Sequence, residues 1–159
     1  MDKNQFQPAY LDDCRGLSLK KMDSAEVALY LFLYGCVGER WRWRDRLLLT
    51  ERQLEALLAP PGTSVHVLYV DNVAAGYIEL AKSDESTKIV YLGLCPDYIG
   101  KDLGKHLLSY GIEQAWNDNA KRLWLHTCNM DSPYTLNNYI KHGFSIYKVH
   151  KQSRSKLHI

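Results

Sequence analysis

Two glycines and two lysines at the mouth of a helix are the residues of this chain best spaced for chemistry. In TKIVYLGLCPDYIGKDLGKHLL, residues 87–108, an apolar run meets Pro96, then Gly100, Lys101, Gly104 and Lys105, and then an amphipathic pattern. That order reads as a strand delivering the chain into a helix N-terminus. The first turn of a helix carries backbone N–H groups without intrahelical partners, and the helix dipole adds partial positive charge there, so such a turn can hold an anion such as a pyrophosphate. Gly100 and Gly104 let the backbone come close, and Lys101 and Lys105 add charge. Plain turn chemistry is the competing reading of the same glycines.

A second unusual stretch is ERWRWRDRLLL, residues 39–49, where Trp41 and Trp43 alternate with Arg40, Arg42 and Arg44. Such alternation can stack nucleic-acid bases, but it is met more simply by indoles turned inward, as core or as the wall of a pocket, with guanidinium groups left wet.

The elements that must position these residues follow from pattern. A first strand is expected at 17–20, then a helix opened by Asp23 and Glu26 in capping-box spacing, running to about residue 36 and ended by Gly35 and Gly38. Thr50 starts a second helix that reaches residue 58, stopped by Pro60, Pro61 and Gly62. Runs rich in β-formers at 65–70 and 73–81 flank Asp71-Asn72, a pair suited to a tight hairpin, and a polar turn at 82–86 leads to a third strand at 87–94. The next helix has Leu103, Leu107, Leu108, Gly111, Ile112, Ala115 and Trp116 on one face. A strand at 122–127, a helix from Ser132-Pro133 to about 141 ended by Gly143, and a last strand at 144–149 complete the order.

The chain has 159 residues, 46% apolar and 24% charged, which suits one domain with a sizeable core. Its +2 net charge, from 20 basic and 18 acidic residues, argues against a dedicated nucleic-acid binder. The tail beyond Lys148 is basic, with Lys151, Arg154 and Lys156, and reads as a solvated or frayed terminus. Cys14, Cys36, Cys95 and Cys128 are too far apart in sequence for a CxxC pair and read as reduced thiols of a cytoplasmic protein. No stretch approaches the ~18 uncharged apolar residues of a membrane span, and no secretory signal opens the chain.

Three motifs, in order, carry a family resemblance over about residues 17–149. LCPDYIGKDLGKHLL resembles the acyl-CoA motif of the GNAT superfamily of N-acyltransferases, a strand ending in V-x-P followed by (Q/R)-x-x-G-x-(G/A). Ile99 stands at the Gln/Arg place, Asp102 replaces the central glycine and Gly104 matches the last. SPYTLNNYIKHGF is similar to the family's N-x-x-A-x-x-x-Y-x-x-x-G-F: Tyr139, Gly143 and Phe144 match, while Ser132 and Thr135 stand for Asn and Ala. GYIEL at 76–80, with LHTCNMDSP at 125–133 and GERWRWRDR, is similar to a bacterial subgroup with GYFEL and HTCTLDHP signatures.

The resemblance implies an α/β (mixed α+β) GNAT fold: a central, mostly antiparallel mixed sheet with a splayed strand pair, flanked by about four helices, in a single domain whose core spans 17–149. It implies acetyl-CoA as co-substrate and an amine, of a small molecule or peptide, as acceptor, with no metal, nucleic acid or membrane involved; a homodimer is compatible with it. The pantetheine arm would lie in the splay against backbone groups of Leu94 and Cys95. The pyrophosphate would rest on the turn formed by Gly100, Lys101, Asp102, Leu103, Gly104 and Lys105, with Ser132 nearby. Tyr139 matches the tyrosine that protonates the departing thiolate. Glu79, beside the splay, is the candidate base through a water, because burial among apolar neighbours raises a carboxyl pKa, and His126 is the other. Trp41, Trp43, Tyr77 and His126 would line the acceptor pocket. Asp102 opposes an anion unless it caps the helix instead, and together with Ile99 it supports the alternative of a GNAT-fold acyl-CoA-binding or regulatory module without efficient turnover.

Overall fold

The computed structural model describes residues 16–23, 26–38, 45–83, 86–99, 103–128, 148–150 and 156–158, with backbone alone at 45, 126–128 and the last two segments. Strand β1 (Leu17–Lys21) leads to helix α1 (Val27–Gly38), a 3₁₀ turn (Asp45–Leu48) and helix α2 (Glu51–Leu58). Strands β2 (Thr63–Val70), β3 (Val73–Ser83) and β4 (Ser86–Leu94) follow as a meander. A second 3₁₀ turn (Pro96–Tyr98), helix α3 (Leu103–Asn117) and strands β5 (Arg122–Cys128), β6 (Lys148–His150) and β7 (Lys156–His158) complete the described elements.

Local chemistry sets the boundaries. Thr50 and Gln53 form a full capping box at the start of α2, each side chain bonded to the other's backbone N–H at 3.1 and 3.0 Å. Before α1, the Glu26 carboxylate accepts the Asp23 N–H at 3.0 Å. Asp71 and Asn72 take φ of +49° and +68°, the left-handed pair that a two-residue hairpin with the twist of its strands requires. One expected boundary moves: Gly35 lies inside α1, which runs on to Gly38. A single glycine lowers helix propensity by about 1 kcal/mol, less than the burial of Leu33, Tyr34 and Val37 around it returns.

The sheet order is β1-β2-β3-β4-β5-β7-β6. β1 to β4 pair antiparallel, β4 and β5 pair parallel, and β7 pairs antiparallel with both β5 and β6. The position of β7 corrects the reading of the tail as a frayed end. Its backbone at Lys156–His158 joins the edge of β5 at His126–Cys128, the residues at which β5 has parted from β4. Of the expected strand at 144–149, residues 148–149 fall in β6 (Lys148–His150), and 144–147 lie outside the described residues. The expected helix at 132–141 lies outside the described residues.

Side chains on the two faces of the sheet build separate cores. On one face α3 lays Leu103, Leu107, Leu108, Ile112, Ala115 and Trp116 against Leu68, Ile78, Leu80, Ile89, Leu123 and Leu125. A Cβ at Gly111 would strike the Ile78 side chain, so the helix comes to the sheet at that point without one. On the other face α1 and α2 bring Tyr30, Leu33, Tyr34, Val37, Leu54 and Leu58 onto Val65, Val67, Tyr77 and Cys95. Among the described residues no helix is long and apolar enough to cross a membrane, and no group of His, Cys, Asp and Glu is placed to hold a metal ion.

Candidate active site

The site begins where two parallel strands part. β4 and β5 are in register from Ser86↔Arg122 to Ile89↔Leu125, and no further. At the same point the ladder between β3 and β4 passes from Leu80↔Ile89 to Glu79↔Tyr91, so Val90 is an extra residue on β4. A bulge bends the strand that carries it. Beyond it, residues 90–94 stay with β3 while residues 126–128 of β5 go to β7, leaving a wedge between them.

The edge of β4 that faces the wedge can be read from hydrogen bonds. Cys95 donates its N–H to the Ala75 carbonyl at 2.7 Å, and its own carbonyl accepts the Tyr98 N–H at 2.9 Å. The Cys95 N–H and one acceptor position of its carbonyl are thus engaged within the fold. Successive amides of an extended strand point to opposite edges, so Leu94, in register with Gly76, turns its N–H and C=O away from β3 and into the wedge.

Past the turn at Pro96–Tyr98, Ile99 is 47% exposed, and α3 begins at Leu103, whose side chain is buried in the core. Gly104, in the first turn, is a glycine that internal packing does not demand. A Cβ there would meet the Leu94 Cδ1 at 3.7 Å, an ordinary contact, whereas a Cβ at Gly76 would collide with the Gly93 carbonyl and the Leu94 side chain. Lys105 follows it, half-buried. Gly100, Lys101 and Asp102 of the anion turn, Ser132 and Tyr139, and the tryptophans Trp41 and Trp43 lie outside the described residues. His126 is placed by its backbone at the first position of β5 beyond the parallel ladder.

On the α1 side of the wedge the structure assembles a polar cluster that sequence reasoning saw only in part. Glu79 is 2% exposed and faces α1 beside Tyr77 and Tyr91. Its Oε1 accepts the Tyr30 hydroxyl at 2.6 Å and its Oε2 pairs with Arg46 Nη2 at 3.1 Å. Arg46 lies over the Tyr91 ring at 5.3 Å, and its N–H donates to the Tyr34 hydroxyl at 3.3 Å. The Tyr34 and Tyr91 hydroxyls are 3.5 Å apart. Tyr30 stacks on Tyr34, with ring centroids 6.1 Å apart, and meets Tyr77 edge-on at 5.7 Å.

Electrostatics in this cluster follow from burial. Desolvation raises the Glu79 carboxyl above its ordinary range, opposed by the Arg46 guanidinium and by the Tyr30 hydrogen bond. Burial, reinforced by the Glu79 charge, also raises Tyr30, so its hydroxyl keeps its proton and serves as a donor. Among the described residues Arg46 Nη1 and the Tyr77 hydroxyl are buried without a hydrogen-bond partner. Each Glu79 oxygen thus has a partner within the fold, Tyr30 on one side and Arg46 on the other. Tyr77, fully buried beneath Tyr30, is floor rather than wall. Arg46, Tyr30, Tyr34 and Tyr91 were not singled out from sequence. The spacing of Tyr30 and Tyr34, four apart in an apolar run, was the one available signal that two hydroxyls share a helix face.

The chain matches the family model described as acetyltransferase (GNAT) family over residues 28–144. A search of curated protein sequences finds no match. Among solved structures it is similar to an aminoglycoside acetyltransferase from an uncultured soil metagenomic sample in complex with sisomicin, with TM-score 0.74, 13% identity and 86% and 95% of the two chains covered. It is also similar to the ribosomal-protein-S18-alanine N-acetyltransferase of Escherichia coli, with TM-score 0.73, 13% identity and coverage of 89% and 90%. A GNAT family acetyltransferase from Elizabethkingia anophelis with acetyl-CoA bound gives TM-score 0.70, 17% identity and coverage of 91% and 96%. At these identities the likenesses speak for the fold, and it is the family match over most of the chain that decides membership. The wedge between β4 and β5, the helix that starts beyond it and the motifs at its rim are thus the parts of a protein that belongs to the GNAT acetyltransferase family.

Proposed function

We propose that the protein transfers an acetyl group from acetyl-CoA to a primary amine of a small molecule or peptide, by direct attack within a ternary complex. The observation that carries this reading is the parting of β4 from β5 at Val90, with the Leu94 backbone turned into the gap and α3 starting beyond its end. Acetyl-CoA would supply an acyl thioester, and the described residues fit it in two respects. Leu94 offers an unused strand edge for an extended amide-bearing arm, and Gly104 leaves the first turn of α3 bare where the fold itself would accept a side chain.

Acyl transfer needs an uncharged amine, a polarised carbonyl and a proton for the leaving thiolate. In this reading Gly100, Lys101, Leu103, Gly104 and Lys105 bind and orient the pyrophosphate, together with Ser132, and the Asp102 carboxylate must serve the helix start rather than face the anion. Tyr139 gives the proton to the thiolate. His126, at the first position where β5 leaves β4, takes the proton from the amine. Glu79, Arg46 and Tyr30 brace the acceptor side, because Arg46 belongs to the 3₁₀ turn that directly follows the Trp41 and Trp43 segment. The soil aminoglycoside enzyme and the ribosomal-protein enzyme show how different the acceptors of similar folds can be.

Calorimetric titration with acetyl-CoA tests the reading first, with Gly104→Val as the control. Saturable micromolar binding that the valine weakens at least tenfold, with folding intact, supports it; no binding up to millimolar concentration ends it. Thiol release with a panel of amines then separates an enzyme from a binding module. Tyr139→Phe should slow release by ten- to a hundredfold without changing acetyl-CoA affinity.

A further inference from the structure

The segment from Glu39 to Arg46, ERWRWRDR, sets four arginines against two acids, so this short stretch carries a positive excess equal to that of the whole chain. Of the four, Arg46 is the one whose side chain the structure describes. It is held at three points. Nη2 pairs with Glu79 Oε2 at 3.1 Å, the backbone N–H donates to the Tyr34 hydroxyl at 3.3 Å, and the guanidinium carbon lies 5.3 Å from the centre of the Tyr91 ring.

The fork so fixed is only partly used. Among the described residues Nη1 is buried without a hydrogen-bond partner, Glu79 is the one buried acid, and Tyr30 takes the other Glu79 oxygen. A buried charged donor without an acceptor is uncommon in folded proteins and calls for a partner from outside the chain. The side chain keeps 13% of its surface exposed, which gives a small group access to it. Carboxylate is the group whose oxygens match a planar guanidinium, and an arginine-rich segment draws anions and repels polyamines. A phosphate suits the place less well, because it would bring two charges rather than one beside Glu79.

We propose that Arg46 determines acceptor specificity and that the acceptor is a small amino acid, its carboxylate paired with Arg46 Nη1 and its amine turned to the thioester. The proposal rests on the acetyl-transfer reading, which makes the side of α1 and α2 the acceptor side. Because the guanidinium is already fixed by Glu79, Tyr34 and Tyr91, it meets the carboxylate without first being ordered.

The test compares common amino acids with their carboxamides, by calorimetric titration of the full chain, alone and saturated with coenzyme A, and by thiol release at saturating acetyl-CoA. The carboxamide has the less basic amine and so more free base at neutral pH, which makes any preference for the acid run against intrinsic reactivity. For at least one amino acid, kcat/KM should exceed that of its carboxamide by about thirtyfold or more, carried by KM and weakened by salt. Arg46→Lys keeps a charge for Glu79 but loses the fork, and should remove most of that preference through KM; an arginine that only braced Glu79 would instead lower kcat for acid and amide alike. If the variant folds poorly, the wild-type comparison and its salt dependence decide the matter. Equal use of acids and amides, or a preference for amides or polyamines, would overturn the proposal and leave acetyl transfer standing, and absence of binding by every acid would overturn it whatever the turnover. Binding of an acid that Arg46→Lys abolishes, with no thiol release from any amine, would keep the Arg46 site and end the acetyltransferase reading.

Discussion

The two faces of the sheet are built from different chemistry. Against α3 lie aliphatic side chains and a tryptophan, with buried His66 at the margin near Tyr110. The face that meets α1 and α2 holds Tyr30, Tyr34, Tyr77 and Tyr91, an ion pair and buried Cys95 around a smaller aliphatic centre. The first face gains stability from area removed from water, at about 25 cal/mol per Å². The second must satisfy more hydroxyls and a charge, and among the described residues Arg46 Nη1 and the Tyr77 hydroxyl stay unmatched there, as His66 Nδ1 and Trp116 Nε1 do on the first. A protein that spends stability on one side of a sheet and gathers it on the other has divided scaffold from site.

Single truncations should separate the two faces. Glu79→Ala strands the Arg46 charge and the Tyr30 hydroxyl, and should cost about 3–5 kcal/mol in urea unfolding. The double variant Glu79→Leu with Arg46→Met should cost clearly less than the sum of its parts, which an additive result would contradict. Leu107→Ala, on the α3 face at 0% exposure, should cost about 2–5 kcal/mol through its cavity and show no such coupling. The division between faces would lose its meaning if Leu107 and Glu79 proved coupled to each other.

A pH series sharpens the same contrast. Burial first, then the Lys21 charge, lower His66 from 6.5 to about 4. Its folded pKa is therefore below its unfolded one: the stabilisation is fully present above about pH 6.5 and is lost as pH falls through 4. The loss should be on the order of 2–3 kcal/mol, and His66→Gln should flatten that part of the profile in chemical denaturation at several pH values.

Smaller effects are expected from single atoms. Tyr34→Phe removes the acceptor of the Arg46 N–H and one partner of Tyr91, and should cost roughly 1 kcal/mol. Acetyl transfer should suffer more than that stability loss alone would explain, measured as turnover at saturating acetyl-CoA. Gly35→Ala, where a Cβ would meet nothing within 4 Å, should stabilise α1 by about 0.5–1 kcal/mol. If the alanine stabilises the fold yet weakens turnover, the outer side of α1 belongs to the site.

Much of the scaffold was legible because its signals are local. Asp71-Asn72, the helix start at Thr50 and the Leu103-to-Trp116 stripe each act over a few residues, and the structure realises all three. The motif glycines likewise pointed to the wedge. The polar cluster was much less legible, since Arg46 and Glu79 are 33 residues apart and Tyr30 and Glu79 are 49 apart. A sequence cannot show that Tyr30 and Arg46 bond to the Glu79 carboxyl. Nor does the sequence show that the Cys95 N–H continues the ladder of β4 with β3 by bonding to Ala75.

What the sequence alone determined was the order of elements as far as β5, the turn chemistry, the amphipathic face of α3 and the family. Tertiary structure decided the face of α1. VALYLFLYGCVG is apolar all round, so periodicity cannot choose between its sides, and the fold buries Tyr30 and Tyr34 while leaving Phe32 57% exposed. It also decided the place of the C-terminal strand, whose short basic sequence carries no strand signal until β5 offers an edge. The physical reason is common to both cases: propensity and pattern act through neighbours along the chain, whereas an unpaired edge, a buried charge or a vacant face exists only once distant segments have met.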